Sequence, residues 1–211
     1  MNRADRRRQE AQHTKDGRPS DNMALRSLLE EGKTHHQAGR MQDAERAYRR
    51  ALEMAPEHAD TLHLLGLLLY RQARYDEAIA AITSAISQSP SPVYWFNLGV
   101  VSQKAARLEK AVHAYQQAIT MNPRYLEAHI NLGNALKEQS ALADSIQAYR
   151  QALALNPSHA DIHNNLGAVL KEQGLVLEAI GSYRRAIELK PPHIEALNNL
   201  GRAYRKRGRA G

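Results

Sequence analysis

Six glycines pace this chain. Gly32, Gly66, Gly99, Gly133, Gly167 and Gly201 stand 34, 33, 34, 34 and 34 residues apart. A proline follows each of the first five at a constant 24 residues: Pro56, Pro90, Pro123, Pro157 and Pro191. Between glycine and proline comes a small residue (Ala44, Ala78, Ala111, Ser145, Ala179), then an aromatic or isoleucine (Tyr48, Ile82, Tyr115, Tyr149, Tyr183), then alanine (Ala51, Ala85, Ala118, Ala152, Ala186). Coincident series at one period are the signature of a repeat array, in which each unit buries its apolar face only against its neighbours.

Each series has a physical reason. Apolar residues within a unit recur at helical spacing, as in Leu62, Leu65 and Leu69, so each unit reads as two helical runs of about 14 residues, long enough once packed. Gly39, Gly174 and Gly208 mark the turn between the runs, where the other units have Ala or Ser. The proline ends the second run, because it lacks an N–H and disfavours helix at the residue before it. Small residues such as Gly133 and Ser145 let the two helices approach, and Tyr149 fills the space beside them. The second unit is one residue short, through "SQSPSPVY", where Ser91 reads as an N-cap and Pro92 as the first helical residue.

Composition agrees with an all-α fold: 43% of residues are apolar, only 5% are aromatic, and Ala and Leu dominate. With no cysteine, disulfides, thiol nucleophiles and thiolate metal sites are excluded. No stretch reaches 18 uninterrupted apolar residues, so no membrane-spanning helix is expected. The N-terminal "MNRADRRRQEAQHTKDGRPSDN" lacks an apolar core and reads as a disordered basic arm over 1–22 rather than a signal peptide, which makes the cytoplasm the expected location. The net charge of +7 arises at the ends: residues 1–22 carry six basic and four acidic groups, and "RAYRKRGRAG" at 202–211 carries five basic and none acidic. The body is neutral and shows no basic stripe of the kind nucleic-acid binders present. Contact with nucleic acid is therefore conceivable only through the termini; solvation of the chain ends is the plainer role of both clusters.

A 34-residue helix–turn–helix unit with Gly, Ala, aromatic, Ala and Pro in these places resembles the tetratricopeptide repeat, and Trp95 stands where that family's tryptophan usually falls. The resemblance implies a right-handed superhelical solenoid of antiparallel helix pairs. Its domain would run from 23 to 211, with repeats at about 25–58, 59–91, 92–125, 126–159 and 160–193 and a capping helix over 194–207 whose Leu197, Leu200 and Tyr204 cover the last repeat. It further implies a protein-interaction scaffold without enzymatic activity or cofactor, whose first helices line a concave groove for protein or peptide partners in extended conformation.

Asparagine recurs two residues before the glycine at Asn97, Asn131, Asn165 and Asn199, beside Leu98, Leu132, Leu166 and Leu200. One residue turns a helix by about 100°, so leucines facing the core leave the asparagines beside the seam, toward the groove. A carboxamide both donates and accepts, and can satisfy a peptide N–H and C=O whatever the side chain. Asn134, Asn164, Asn198, Lys137 and Lys171 are groove neighbours on the same reading. The pattern, with phrases such as "INLGNALKEQ", is similar to the asparagine ladder in the repeat region of O-linked N-acetylglucosamine transferases, which adds a second reading as the substrate-targeting segment of a larger glycosyltransferase-like enzyme. Glu30 and Leu64 hold the ladder position in the first two repeats. Hydrogen bonding between neighbouring helices is the structural alternative for these asparagines. The clamp that grips terminal carboxylates in chaperone-tail binders is not matched: Glu127, Asp161 and Glu195 stand where it has Lys, and Asn165 and Asn199 where it has Arg. No P-loop, dinucleotide fingerprint or metalloprotease motif occurs. His159 and His163, four apart, lack the further ligands of a metal site.

Overall fold

The structure, a computed structural model, describes residues 19–208, with side chains described for 22–205. Most of the arm expected over 1–22 lies outside the described residues, but its end does not: the first helix starts at Pro19. The described residues form eleven α-helices and no strand. They divide into two compact units, one ending at Pro90 and one beginning at Ser91.

The first unit holds α1 (Pro19–Gln37), α2 (Met41–Met54), α3 (Ala59–Arg71) and α4 (Tyr75–Gln88). The second holds α5 (Pro92–Lys104), α6 (Leu108–Met121), α7 (Leu126–Glu138), α8 (Leu142–Leu155), α9 (Ala160–Glu172), α10 (Val176–Leu189) and α11 (Ile194–Gly208). Odd-numbered helices are the first, and even-numbered the second, of each pair, and the pairs α1–α2, α3–α4, α5–α6, α7–α8 and α9–α10 pack tightly. Ser91 is the N-cap of α5 with Pro92 in its first turn, though the Ser91 hydroxyl makes no capping bond.

The tight pairing comes from the glycine and aromatic series. A Cβ placed on Gly32, Gly66, Gly99, Gly133 or Gly167 would lie within 2.8 Å of Tyr48, Ile82, Tyr115, Tyr149 or Tyr183 respectively, too close for any larger residue. Those five side chains are 0% exposed, as are Ala44, Ala78, Ala111 and Ala179, one turn earlier on the same helices. Ser145, the exception in the small-residue series, is buried and donates its hydroxyl to the Gly133 carbonyl at 2.7 Å. The polar group is thus satisfied without leaving the seam.

The turn between paired helices is the same five times. The N–H of Arg40, Arg74, Arg107, Ala141 and Leu175 reaches back five residues to the carbonyls of His35, Leu69, Ser102, Leu136 and Leu170 at 2.8–2.9 Å. This is the Schellman bond, which requires a left-handed residue just before the donor. Gly39 and Gly174 supply it at φ +76° and +92°, but Ala73, Ala106 and Ser140 adopt it too, at +59°, +57° and +62°. In the first unit Glu45 adds a cross-pair tie, accepting from Arg74 at 2.8 Å and from Gln72 at 3.3 Å.

The last helix departs from expectation. Ala196 and Ala203 are fully buried, and Leu200 packs on the core that holds Ile180 and Tyr183. Leu197 and Tyr204, expected on that covering face, are 45% and 39% exposed. Residues 196, 200 and 203 form one stripe along α11, and Leu197 lies about 100° around from it.

Two outcomes follow for stability. A left-handed non-glycine residue costs about 1–2 kcal/mol, and glycine's extra unfolded-state freedom offsets about 0.4–1 kcal/mol. Ala73→Gly, Ala106→Gly and Ser140→Gly are each expected to stabilise by about 0.5 kcal/mol. The readout is the urea midpoint, and an unchanged or lower midpoint would show the turns unstrained.

The core tyrosines differ in how their hydroxyls are used. Tyr149 donates to Asn134 Oδ1 at 2.5 Å and Tyr115 to Gln103 Oε1 at 3.0 Å, whereas the buried Tyr183 hydroxyl finds no partner among the described residues. Tyr149→Phe should cost about 1 kcal/mol and Tyr183→Phe close to nothing. Burial first, and then Glu195, push the Tyr183 phenol up to about 12. The folded value lies above the unfolded value of about 10, so this group's contribution is complete below pH 10 and is lost as pH climbs through that interval. Tyr183→Phe should flatten the alkaline fall in melting temperature, and an alkaline limb identical to the parent's would refute the assignment.

Candidate functional site

The four ladder asparagines all fall in the unit that begins at Ser91, on α5, α7, α9 and α11. Their direction follows from their neighbours. Leu132 and Leu136 of α7 line a cavity of about 390 Å³ that Ile119 of α6 and Gln147, Ala148 and Gln151 of α8 also border. Asn131, two residues before the Gly133 that seats Tyr149, lies about 160° around the helix from it and so on the side away from α8. Asn97, Asn131, Asn165 and Asn199 are all half-buried.

Beyond that shared position they are not equivalent. Asn199 Nδ2 donates to Asn164 Oδ1 at 3.1 Å, bridging α11 and α9. The acceptor, Asn164, is 2% exposed, so it is an interior group rather than a groove surface. At this rung the structural alternative, a bond between neighbouring helices, is what the geometry displays. The Asn131 and Asn165 carboxamides make no hydrogen bond among the described residues. Sequence alone could not separate these cases. What matters is the residue before the asparagine one repeat earlier: Asn164 lies across from Asn199, whereas the corresponding residues Phe96 and Ile130 have no carboxamide to offer.

The expected neighbours divide likewise. Asn134 is held by the Tyr149 hydroxyl. Asn198 and Lys137 are exposed, and Lys171 is half-buried. Gln103, which sequence reasoning did not single out, reaches from α5 to α7, donating to Glu138 at 2.6 Å while accepting from Tyr115. Asp161, weighed against a clamp lysine, is engaged with His193 at 3.1 Å and Lys190 at 3.6 Å. His129 and His163 each place Nε2 3.0 Å from the carbonyl of the loop proline before them, Pro123 and Pro157. His163 is thereby committed to the loop, and His159 is the N-cap of α9.

The unit ending at Pro90 carries different chemistry at the same repeat position. Leu64 borders a cavity of about 260 Å³ with Lys33, His36, Tyr48 and Arg71. Lys33 pairs with Glu30 at 2.8 Å. Burial, with Arg71 adding to it, holds the His36 imidazole below its ordinary range, so the ring favours the neutral form. The Tyr48 hydroxyl is buried there without a partner among the described residues. Tyr48 and Leu64 stand out in the sequence by their repeat positions, whereas Lys33, His36 and Arg71 join them only in the folded chain. No helix of the described residues is long and apolar enough to cross a membrane.

Sequence profiles described as TPR repeat match residues 107–140 and 134–174, and profiles described as tetratricopeptide repeat match 29–92 and 160–193. The TPR repeat-containing thioredoxin TTL4 of Arabidopsis thaliana is 35% identical over 85 residues, 39% of this chain and 12% of that protein. The peroxisomal targeting signal receptor of Saccharomyces cerevisiae is 33% identical over 69 residues, 32% of this chain and 11% of that protein. The chain thus spans about an eighth of the length of these relatives. Among solved structures, MamA superposes with a TM-score of 0.76 at 22% identity, covering 80% of this chain and 92% of that one. YrrB, described as a TPR protein with an unusual peptide-binding site, superposes at 0.73 and 22% identity, covering 81% and 89%. These matches reach the repeat as such and not the O-linked N-acetylglucosamine transferase subgroup. Matching profiles over more than half its length, with the glycine-to-tyrosine seams beneath them, make this chain a member of the tetratricopeptide repeat family.

Proposed function

We propose that the protein is a non-catalytic interaction scaffold whose second unit docks extended peptide segments, with Asn131 and Asn165 reading the peptide backbone. The observation that carries this reading is the pair of half-buried carboxamides with no hydrogen bond to the described residues. Partly buried amides retain unmet donor and acceptor capacity, and an extended backbone offers its complement. Packed helices lie about 8–10 Å apart and an extended strand advances about 3.3 Å per residue. Successive rungs would then meet roughly every third peptide residue. Asn97 extends the series toward α5, and exposed Lys137 and Asn198 border it.

Asn199 takes a different part in this reading. Its bond to the buried Asn164 makes it a brace between α9 and α11 rather than a free rung. The fold neighbour YrrB, whose description names a peptide-binding site, and the relative that is a targeting signal receptor support peptide docking on such a scaffold. In the first unit, Leu64 with Lys33 and Arg71 would favour apolar and acidic side chains instead of backbone.

The test pairs affinity with stability. The probe is a pool of fluorescein-labelled 12-residue peptides of unrelated sequence. Each neutral contact is worth about 1 kcal/mol, so Asn131→Ala with Asn165→Ala should weaken the binders about tenfold or more, to a similar degree across sequences. The melting temperature should hold. Asn199→Ala should instead cost about 1 kcal/mol of stability, because it strips a bond from buried Asn164. A double variant that melts early and binds as before, or a pool without binders, defeats the proposal.

A further inference from the structure

Second helices of successive repeats are tied to each other at a fixed place. The residue after a seam tyrosine meets the residue before the next repeat's small residue, 28 positions on. Arg49 of α2 lies 4.0 Å from Glu77 of α4, and Arg150 of α8 lies 3.1 Å from Glu178 of α10. The corresponding pair between α6 and α8 is Gln116 and Asp144. A neutral carboxamide thus stands where the other two intervals have arginine. No hydrogen bond or ion pair reaches the Asp144 carboxylate from the described residues.

Gln116 and Asp144 both border the cavity of about 390 Å³ between α6, α7 and α8, a volume within the range of about 300–1,000 Å³ that binding pockets occupy. Its floor is apolar, from Ile119, Leu132, Leu136 and Ala148. Its rim is polar: Gln116, Gln147 and Gln151 are exposed, and their carboxamides make no hydrogen bond among the described residues. The other ionisable group lining it, His129, is committed, with Nε2 3.0 Å from the Pro123 carbonyl. An uncompensated carboxylate beside an apolar floor and free amide oxygens selects against an anion, which the carboxylate repels, and against a wholly apolar group, which leaves it unpaired. Arginine fits both halves: its stem lies along apolar surface, and its planar fork of N–H donors matches a carboxylate with neighbouring carboxamide oxygens.

We propose that this cavity is a docking site for an arginine side chain of a partner protein, whose guanidinium pairs with Asp144 and whose stem lies on Ile119, Leu132 and Leu136. The partner's arginine takes the part that Arg49 and Arg150 play within the chain. The carboxamides of Gln116 on α6 and of Gln147 and Gln151 on α8 flank the opening from both sides, where they can bond the backbone on either side of the arginine. The site is separate from the asparagine rungs, because it lies on the side of α7 that meets the second helices and Asn131 lies on the other.

The probe is a fluorescein-labelled peptide, GSLRLGSG, titrated by fluorescence anisotropy against the full chain at low salt, where exposed ion pairs are least screened. The side-chain amide resonances of Gln116, Gln147 and Gln151 are followed by NMR in the same titration. Saturable binding is expected below about 1 mM, with shifts at those three amides. Citrulline in place of the peptide's arginine should weaken binding about fivefold, and so should Asp144→Asn. Gln116→Arg should weaken it as much by supplying the arginine from within the chain, with the melting temperature at or above the parent's. The Asn131→Ala, Asn165→Ala variant should bind this peptide like the parent, so failure of the rungs and failure of this cavity are told apart. Four results overturn the proposal: no saturable binding; equal affinity for Asp144→Asn or Gln116→Arg; an N-acetyl-arginine amide that binds as tightly as the peptide, which would make a free guanidinium compound the occupant; or a parent dimer that Gln116→Arg converts to monomer, which would make it a second copy.

Discussion

The contact between a glycine on each first helix and an aromatic or branched side chain on its partner is the constraint the rest of the structure depends on. With a Cβ-sized gap filled by a tyrosine ring, the two helices approach closely enough for the alanine series to be fully buried. Removing the side chain on one helix and enlarging it on the other is the interlocking of unequal sizes that native packing density demands. The turn is bound to this seam. Reversing direction in three residues while keeping the glycine opposite the ring needs the left-handed corner, and three repeats adopt it with alanine or serine there.

The same seam decides which groups are left for function. Each first helix gives one side to its second helix, which leaves the far side to neighbouring first helices and to solvent. On that far side small differences in sequence produce different chemistry. Asn199 braces against Asn164 because a carboxamide happens to lie across from it. Asn131 and Asn165 face Phe96 and Ile130 in the corresponding places, and their amide groups remain uncommitted. In the first unit, leucine at the rung position and cations nearby make a pocket with another preference.

Periodicity alone determined the helix pairs and the buried tyrosines and alanines, because these depend on intervals along one chain. It placed Ser91 and Pro92 at a helix start for the same reason. It did not foresee the helix beginning at Pro19, since that segment is polar and carries little apolar period. Tertiary structure decided the rest: that Asn164 is interior, that Tyr149 holds Asn134, that Lys33, His36 and Arg71 share one cavity, and that Leu197 and Tyr204 face outward. Each of these depends on which residue lies across a helix interface, and a partner some 15 to 38 residues away leaves no mark in the local pattern.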